Sequence, residues 1–164
     1  MTKLLKITAS VLMIAAFAAV AVSCSKDDDP SDPNQPVPDP EGTITANISS
    51  DTRIILMDIG YIGWTGPDNF NLYSSYGNKV SICDLGEMKG LVNITSIPST
   101  GYTIAASSNA SVACESGHGY VVKFEVAYFD GYKLINTVDI DVRLYVVEPI
   151  VRDGDIIGAK VKYY

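Results

Sequence analysis

The sequence predicts an all-β domain built as an antiparallel, immunoglobulin-like β-sandwich, with a closed β-barrel as the alternative architecture. Three observations predict it. Between Gly42 and Tyr164 no stretch longer than a turn repeats its apolar residues every 3.6 positions, whereas several alternate apolar and polar residues with period two. Turn-forming clusters at Gly66-Pro67-Asp68-Asn69, Tyr76-Gly77-Asn78 and Pro98-Ser99-Thr100-Gly101 cut the chain into short runs. No crossover helix is available to join parallel neighbours, so the runs must pair antiparallel.

Composition divides the 164 residues into three segments, 1–23, 24–41 and 42–164. In the first, Lys3 and Lys6 precede an unbroken apolar run of 12 residues, Val11 to Val22. That is a signal-peptide core, short of the roughly 20 apolar residues of a membrane span. Ala21-Val22-Ser23-Cys24 resembles a bacterial lipobox, which implies cleavage before Cys24 and a lipid on that cysteine. Each buried lipid CH₂ contributes about 0.8 kcal/mol of anchoring, so several chains hold where one would not.

Residues 25–41 contain five prolines, six acids and no aromatic side chain, a composition that cannot bury enough surface to fold. As polyproline II this tether reaches roughly 50 Å at about 3.1 Å per residue. Ser25-Lys26-Asp27-Asp28-Asp29 is similar to the acidic export signal of Bacteroidetes lipoproteins, which implies an outer-membrane protein displayed on the cell exterior. Without residues 1–23 the chain has 10 basic and 19 acidic residues, a balance of −9, and residues 42–164 have 9 and 13, a mild −4. A strongly basic nucleic-acid binder is excluded.

Within 42–164, enough for one core, strands are expected at Thr43–Ile48, Arg53–Ile59, Phe70–Tyr73, Lys79–Leu85, Val92–Ile97, Tyr102–Ala106 and Ser111–Cys114. The clearest periodicity comes later. Val122, Phe124, Val126 and Tyr128 oppose Lys123 and Glu125, and Val138, Ile140, Val142, Leu144 and Val146 oppose Asp139, Asp141, Arg143 and Tyr145. Asp130-Gly131 joins these two strands as a hairpin. A loop that also includes Tyr132 pairs Phe124 with Val138 and Val122 with Ile140, which puts both apolar faces in phase and sets Lys123 opposite Asp139. Arg152-Asp153-Gly154-Asp155 predicts a second hairpin, between Tyr145–Val151 and Ile156–Tyr164.

Three runs, Leu85-Gly86-Glu87-Met88-Lys89-Gly90-Leu91, Ile94-Thr95-Ser96-Ile97-Pro98-Ser99-Thr100-Gly101-Tyr102 and Gly117-His118-Gly119-Tyr120-Val121, resemble a family of uncharacterised small lipoprotein domains from Bacteroidetes. The resemblance spans residues 42–164 and departs from the family at Tyr102, where a Trp is expected. It implies surface location and supplies no activity or site residue.

The search for chemistry is mostly negative. His118 is the sole histidine and has no second histidine with which to build a metal site or proton relay. No Gly-x-Ser-x-Gly elbow is present. Asp139 and Asp141 project from one strand face about 7 Å apart, a separation glycoside hydrolases use, but Arg143 is placed to pair with them on a wet face. Asp153-Gly154-Asp155 lacks the other oxygens of a calcium loop. Cys83 and Cys114 form an even pair in an exported domain, a candidate disulfide that would add roughly 3 to 4 kcal/mol, against two buried thiols as the alternative.

No cofactor, metal or catalytic residue is therefore assigned. The expected function is a non-catalytic binding or accessory module at the cell surface. Tyr61, Trp64, Tyr73 and Tyr76, set among glycine turns, are the candidate residues for stacking on a glycan or a surface protein. Trp64, before Thr65-Gly66-Pro67, is the first choice. The alternatives are a structural or assembly component of the surface and, weakest, a small hydrolase on Asp139 and Asp141.

Overall fold

Strand β1 (Ile44–Ser49) opens a chain of short antiparallel strands: β2 (Ile54–Leu56), β3 (Gly60–Thr65), β4 (Asn69–Ser74), β5 (Lys79–Glu87), β6 (Thr103–Ala106) and β7 (Asn109–Ala113). Three longer strands complete it, β8 (His118–Asp130), β9 (Lys133–Arg152) and β10 (Asp155–Tyr163). They belong to a computed structural model that describes residues 37–56, 59–75, 77–106 and 109–164. The chain divides into two units, Met1–Gln35 and Pro36–Tyr164, and the described residues fall in the second. Cys24, the leader and Tyr76 lie outside the described residues.

The strands form two sheets, one in the order β1-β10-β9-β8-β5-β6 and one in the order β2-β3-β4-β7. Every pairing is antiparallel. The fold is a β-sandwich, not a closed barrel. Ile62, Phe70 and Leu72 of the small sheet meet Val80, Ile82, Tyr120, Val122, Phe124, Leu144, Val146 and Val161 of the large one in a single core. The period-two faces read from the sequence for β8 and β9 are the faces that pack. On the outside of the large sheet a smaller cluster of Leu91, Ile94 and Val121 is covered by the β5–β6 connection.

Three expectations need correction. Val92–Ile97 is not a strand. Leu91 and Ile94, three residues apart, are both buried around a short 3₁₀ turn at Leu91–Asn93, so an i,i+3 anchor outweighs the β-branched composition. Gly60–Thr65 forms a separate strand, hidden in the sequence by Gly60 and Gly63. Gly60 lies so close to the Tyr73 carbonyl and the Val80 side chain that no Cβ fits.

The β8–β9 register also differs from expectation. Asp130 pairs with Lys133 across a two-residue Gly131-Tyr132 loop, and Gly131 has φ 59° while Tyr132 stays out of that region, as in a type II′ turn. Unbroken, that register would place Phe124 opposite Asp139. A bulge between Tyr128 and Phe129 shifts it by one residue, so Phe124 meets Ile140 and Val122 meets Val142. The apolar faces agree in phase, but each partner lies two residues beyond the expected one. The Asp153-Gly154 hairpin forms as read, with φ 55° and 93° at its two central residues.

Candidate functional site

The outer face of the small sheet is the most distinctive surface. Along β3 and β4 the residues alternate, with Ile62, Phe70 and Leu72 inward and Tyr61, Asn71 and Tyr73 outward. Cross-strand pairing sets Tyr61 opposite Tyr73, flanked by Ile55 on β2 and Asn109 on β7. The two rings stack at 5.1 Å between centroids with 20° between planes. The Arg53 guanidinium lies over Tyr61 at 4.7 Å, and Tyr73 is 39% exposed. Gly63 keeps its neighbourhood open, since a Cβ there would sit 3.3 Å from the Tyr61 ring. Beside the rings a hollow of about 100 Å³ is lined by Ser49, Ser50, Arg53, Tyr61, Gly63, Trp64 and Asn71. A rigid aromatic pair beside hydroxyl, amide and guanidinium groups can stack on an apolar sugar face while hydrogen-bonding its hydroxyls.

The structure therefore brings the Tyr61 and Tyr73 rings together and turns the Trp64 ring toward Phe70, although Trp64 also lines the hollow beside them. Trp64 lies in β3 instead of a turn, on the side of the sheet that carries Ile62. Its ring meets Phe70 edge-on at 6.3 Å, and Nε1 is buried without a hydrogen-bond partner among the described residues. The expectation of an exposed platform at Trp64 is corrected: strand parity, not the following Gly66-Pro67 turn, sets its direction.

Cys83 and Cys114 are free thiols. Cys83 sits on the outward side of β5, opposite Val121 in the ladder, whereas Cys114 packs against the inter-sheet core. The candidate disulfide is thus overturned: Cys83 lies on the outer face of the large sheet, whereas Cys114 follows β7 of the small sheet and packs on the core side. Burial pushes the Cys114 thiol up to about 12, with Asp68, Asp84 and Glu115 adding to the shift. Burial, then Asp84, also raises the Cys83 thiol. Neither is an activated nucleophile.

His118, alone in the sequence, has partners in space. Nδ1 lies 3.1 Å from both Asp84 carboxylate oxygens and Nε2 lies 3.3 Å from Glu115 Oε2. The ligand atoms of these three residues fall within 4.8 Å of one another, the spacing at which a divalent cation could be held. The imidazole already spends both nitrogens on carboxylates, so a metal would have to displace one of them. No local signal links Asp84 to His118; the β5–β8 register, which shifts just after Asp84, creates the contact.

Asp139 and Asp141 both face Lys123, at 3.4 and 3.9 Å. Arg143 instead lies over the Tyr164 ring at 5.2 Å, which corrects the expected Arg143 pairing. Lys123 also sits over the Tyr102 ring at 5.6 Å. These acids form a charge ladder with Lys79–Glu125 on the outer face of the large sheet.

No protein-family model, curated protein or solved structure matches this chain.

Proposed function

We propose that this protein is a lipid-anchored, surface-displayed, non-catalytic binding module whose ligand face is the outer side of the small sheet, with glycans as the ligand class. The observation that carries the reading is the stacked Tyr61–Tyr73 pair, partly open to solvent and bordered by Arg53, Asn71 and the adjoining polar hollow. Attachment through Cys24 and the acidic tether rest on the sequence resemblances. Ring faces held by a sheet contribute contact area at little rotamer cost, as a binding platform requires. The test is a glycan array probed with the chain. The reading expects binding to a restricted set of glycans that Tyr73→Ala reduces at least tenfold while the β-sheet circular dichroism is unchanged. An array without binding overturns it.

A second reading, an assembly component of the cell surface, draws on a different observation. The β8–β9 hairpin runs past the strands that flank it and exposes apolar residues at its end.

A further inference from the structure

The distal part of the β8–β9 hairpin is a two-stranded ribbon that runs past the strands flanking it, with its β8 side partly covered by Gly77 and Asn78 and its β9 side open. On one side, β5 pairs with β8 only as far as Glu125, and beyond it Asn78 Oδ1 accepts the Ala127 N–H at 2.9 Å. On the other side, β10 pairs with β9 from Leu144 onward, and the last backbone bonds there join Arg143 and Tyr164. Residues 133–142 of β9 therefore present an edge of backbone donors and acceptors with no strand beside it among the described residues. Natural sheets blunt such edges or fill them with a partner strand.

The ribbon is also apolar. Tyr128 (49% exposed), Phe129, Tyr132 (fully exposed), Leu134, Ile135 (62%) and Val138 crowd around its end, and between Val126 and Val138 the only charges are Asp130 and Lys133. With an aromatic side chain offering about 150–250 Å², these six leave roughly 600 Å² of apolar surface open, at the upper limit of what monomers tolerate. A standard interface of about 800 Å² per partner, about 65% apolar in homodimers, needs about 520 Å². The six side chains lie on two strands and on both faces of the ribbon, so an edge-on partner covers part of that area and backbone pairing along β9 supplies the rest of the contact.

We infer that this ribbon is a self-association surface, and that its occupant is the ribbon of a second copy of this chain laid antiparallel along the open β9 edge in a two-fold dimer. A two-fold contact needs a patch that complements itself, and antiparallel pairing of residues 133–142 does so by bringing the Lys133 end of one edge beside the Asp139–Asp141 end of the other. With Lys133 as its one base, this edge disfavours an anionic lipid surface, which would select a cluster of lysines or arginines.

The inference is independent of the ligand reading, since none of its residues lies on the small sheet. It is tested by light scattering of the full chain in mild detergent, with the detergent mass subtracted, at protein concentrations from about 1 to 100 μM. The expected result is a protein mass twice that of one chain. Ile135→Glu combined with Val138→Glu, which sets like charges against each other across the two-fold, should raise the dissociation constant at least 100-fold and leave a monomer whose circular dichroism and melting match the parent, because both side chains are exposed. A parent that stays monomeric overturns the inference and leaves the ribbon to a foreign strand. A dimer that persists unchanged in the double variant overturns it equally, since the contact then lies elsewhere.

Discussion

Replacing Tyr120 with Phe removes one oxygen and tests how the sandwich holds the loop beneath its small sheet. Tyr120 is wholly buried, and its ring meets Phe70 edge-on at 5.3 Å, a contact the variant keeps. Its hydroxyl donates to the Ala113 carbonyl at 3.1 Å and accepts the Glu115 N–H at 2.9 Å. The geometry resembles the tyrosine corner of immunoglobulin-type sandwiches, in which a tyrosine early in a strand ties down the backbone just upstream. An orphaned buried backbone group costs about 1–3 kcal/mol and a bond exchanged for water about 0.5–1.5.

Both bonds are only partly buried, so the expected loss is about 2 kcal/mol, or about 6–10 °C in Tm for a domain of this size. Urea unfolding followed by the fluorescence of Trp64, the sole tryptophan, measures it, with Tyr128→Phe, whose residue is half exposed, as a control within about 0.5 kcal/mol. pH adds a second readout. Burial holds the Tyr120 phenol well above its ordinary value, against the opposing bond from the Glu115 amide. The unfolded chain therefore ionises first, and parent stability falls as pH rises past the unfolded value near 10, a decline to which position 120 no longer contributes in the variant. A Tyr120→Phe protein within 0.5 kcal/mol of the parent at pH 7 would refute the reasoning.

Alkylation of Cys114 at pH 8 should run at least about tenfold slower in the native protein than in urea, because burial raises its thiol to about 12 and leaves little thiolate; mass spectrometry of timed iodoacetamide reactions checks it, and equal rates count against the burial. Gly158→Ala should destabilise by about 2 kcal/mol or more, because its Cβ would be driven into the Ile48 carbonyl and against Ser49, and urea midpoints read this directly. Lys123→Met should cost less than about 1 kcal/mol, with the loss shrinking in 1 M salt, because the pairs to Asp139 and Asp141 are partly solvated; a larger, salt-independent loss would point to packing against Tyr102 instead.

What was legible in the sequence was period two. Val122, Phe124, Ile140, Val142, Leu144 and Val146 announce one buried face by composition alone, and the Asp153-Gly154 hairpin follows from its turn residues. Less legible was anything set by non-local geometry. A bulge opposite Tyr128 changes the β8–β9 partners while preserving their phase, so periodicity could not report it. Leu91 and Ile94 resemble strand residues until the outer face of Val121 gives them a surface to cover. For the candidate site, Tyr61 and Tyr73 could be nominated as aromatics near glycines. Their pairing depends on a β3 strand that the glycines obscured, and the same strand turns Trp64 inward. His118 gains Asp84 only when β5 is laid beside β8, whereas Glu115 is a local i,i+3 neighbour.

The central claim is that the outer face of the small sheet binds a glycan through Tyr61 and Tyr73, and titration calorimetry with the strongest array ligand tests it most directly. Tyr73→Ala and Tyr61→Ala should each weaken binding at least tenfold, about 1.4 kcal/mol, whereas Asp139→Asn on the other sheet should bind within a factor of two of the parent. Undiminished affinity in both tyrosine variants, or its loss in Asp139→Asn alone, would contradict the account.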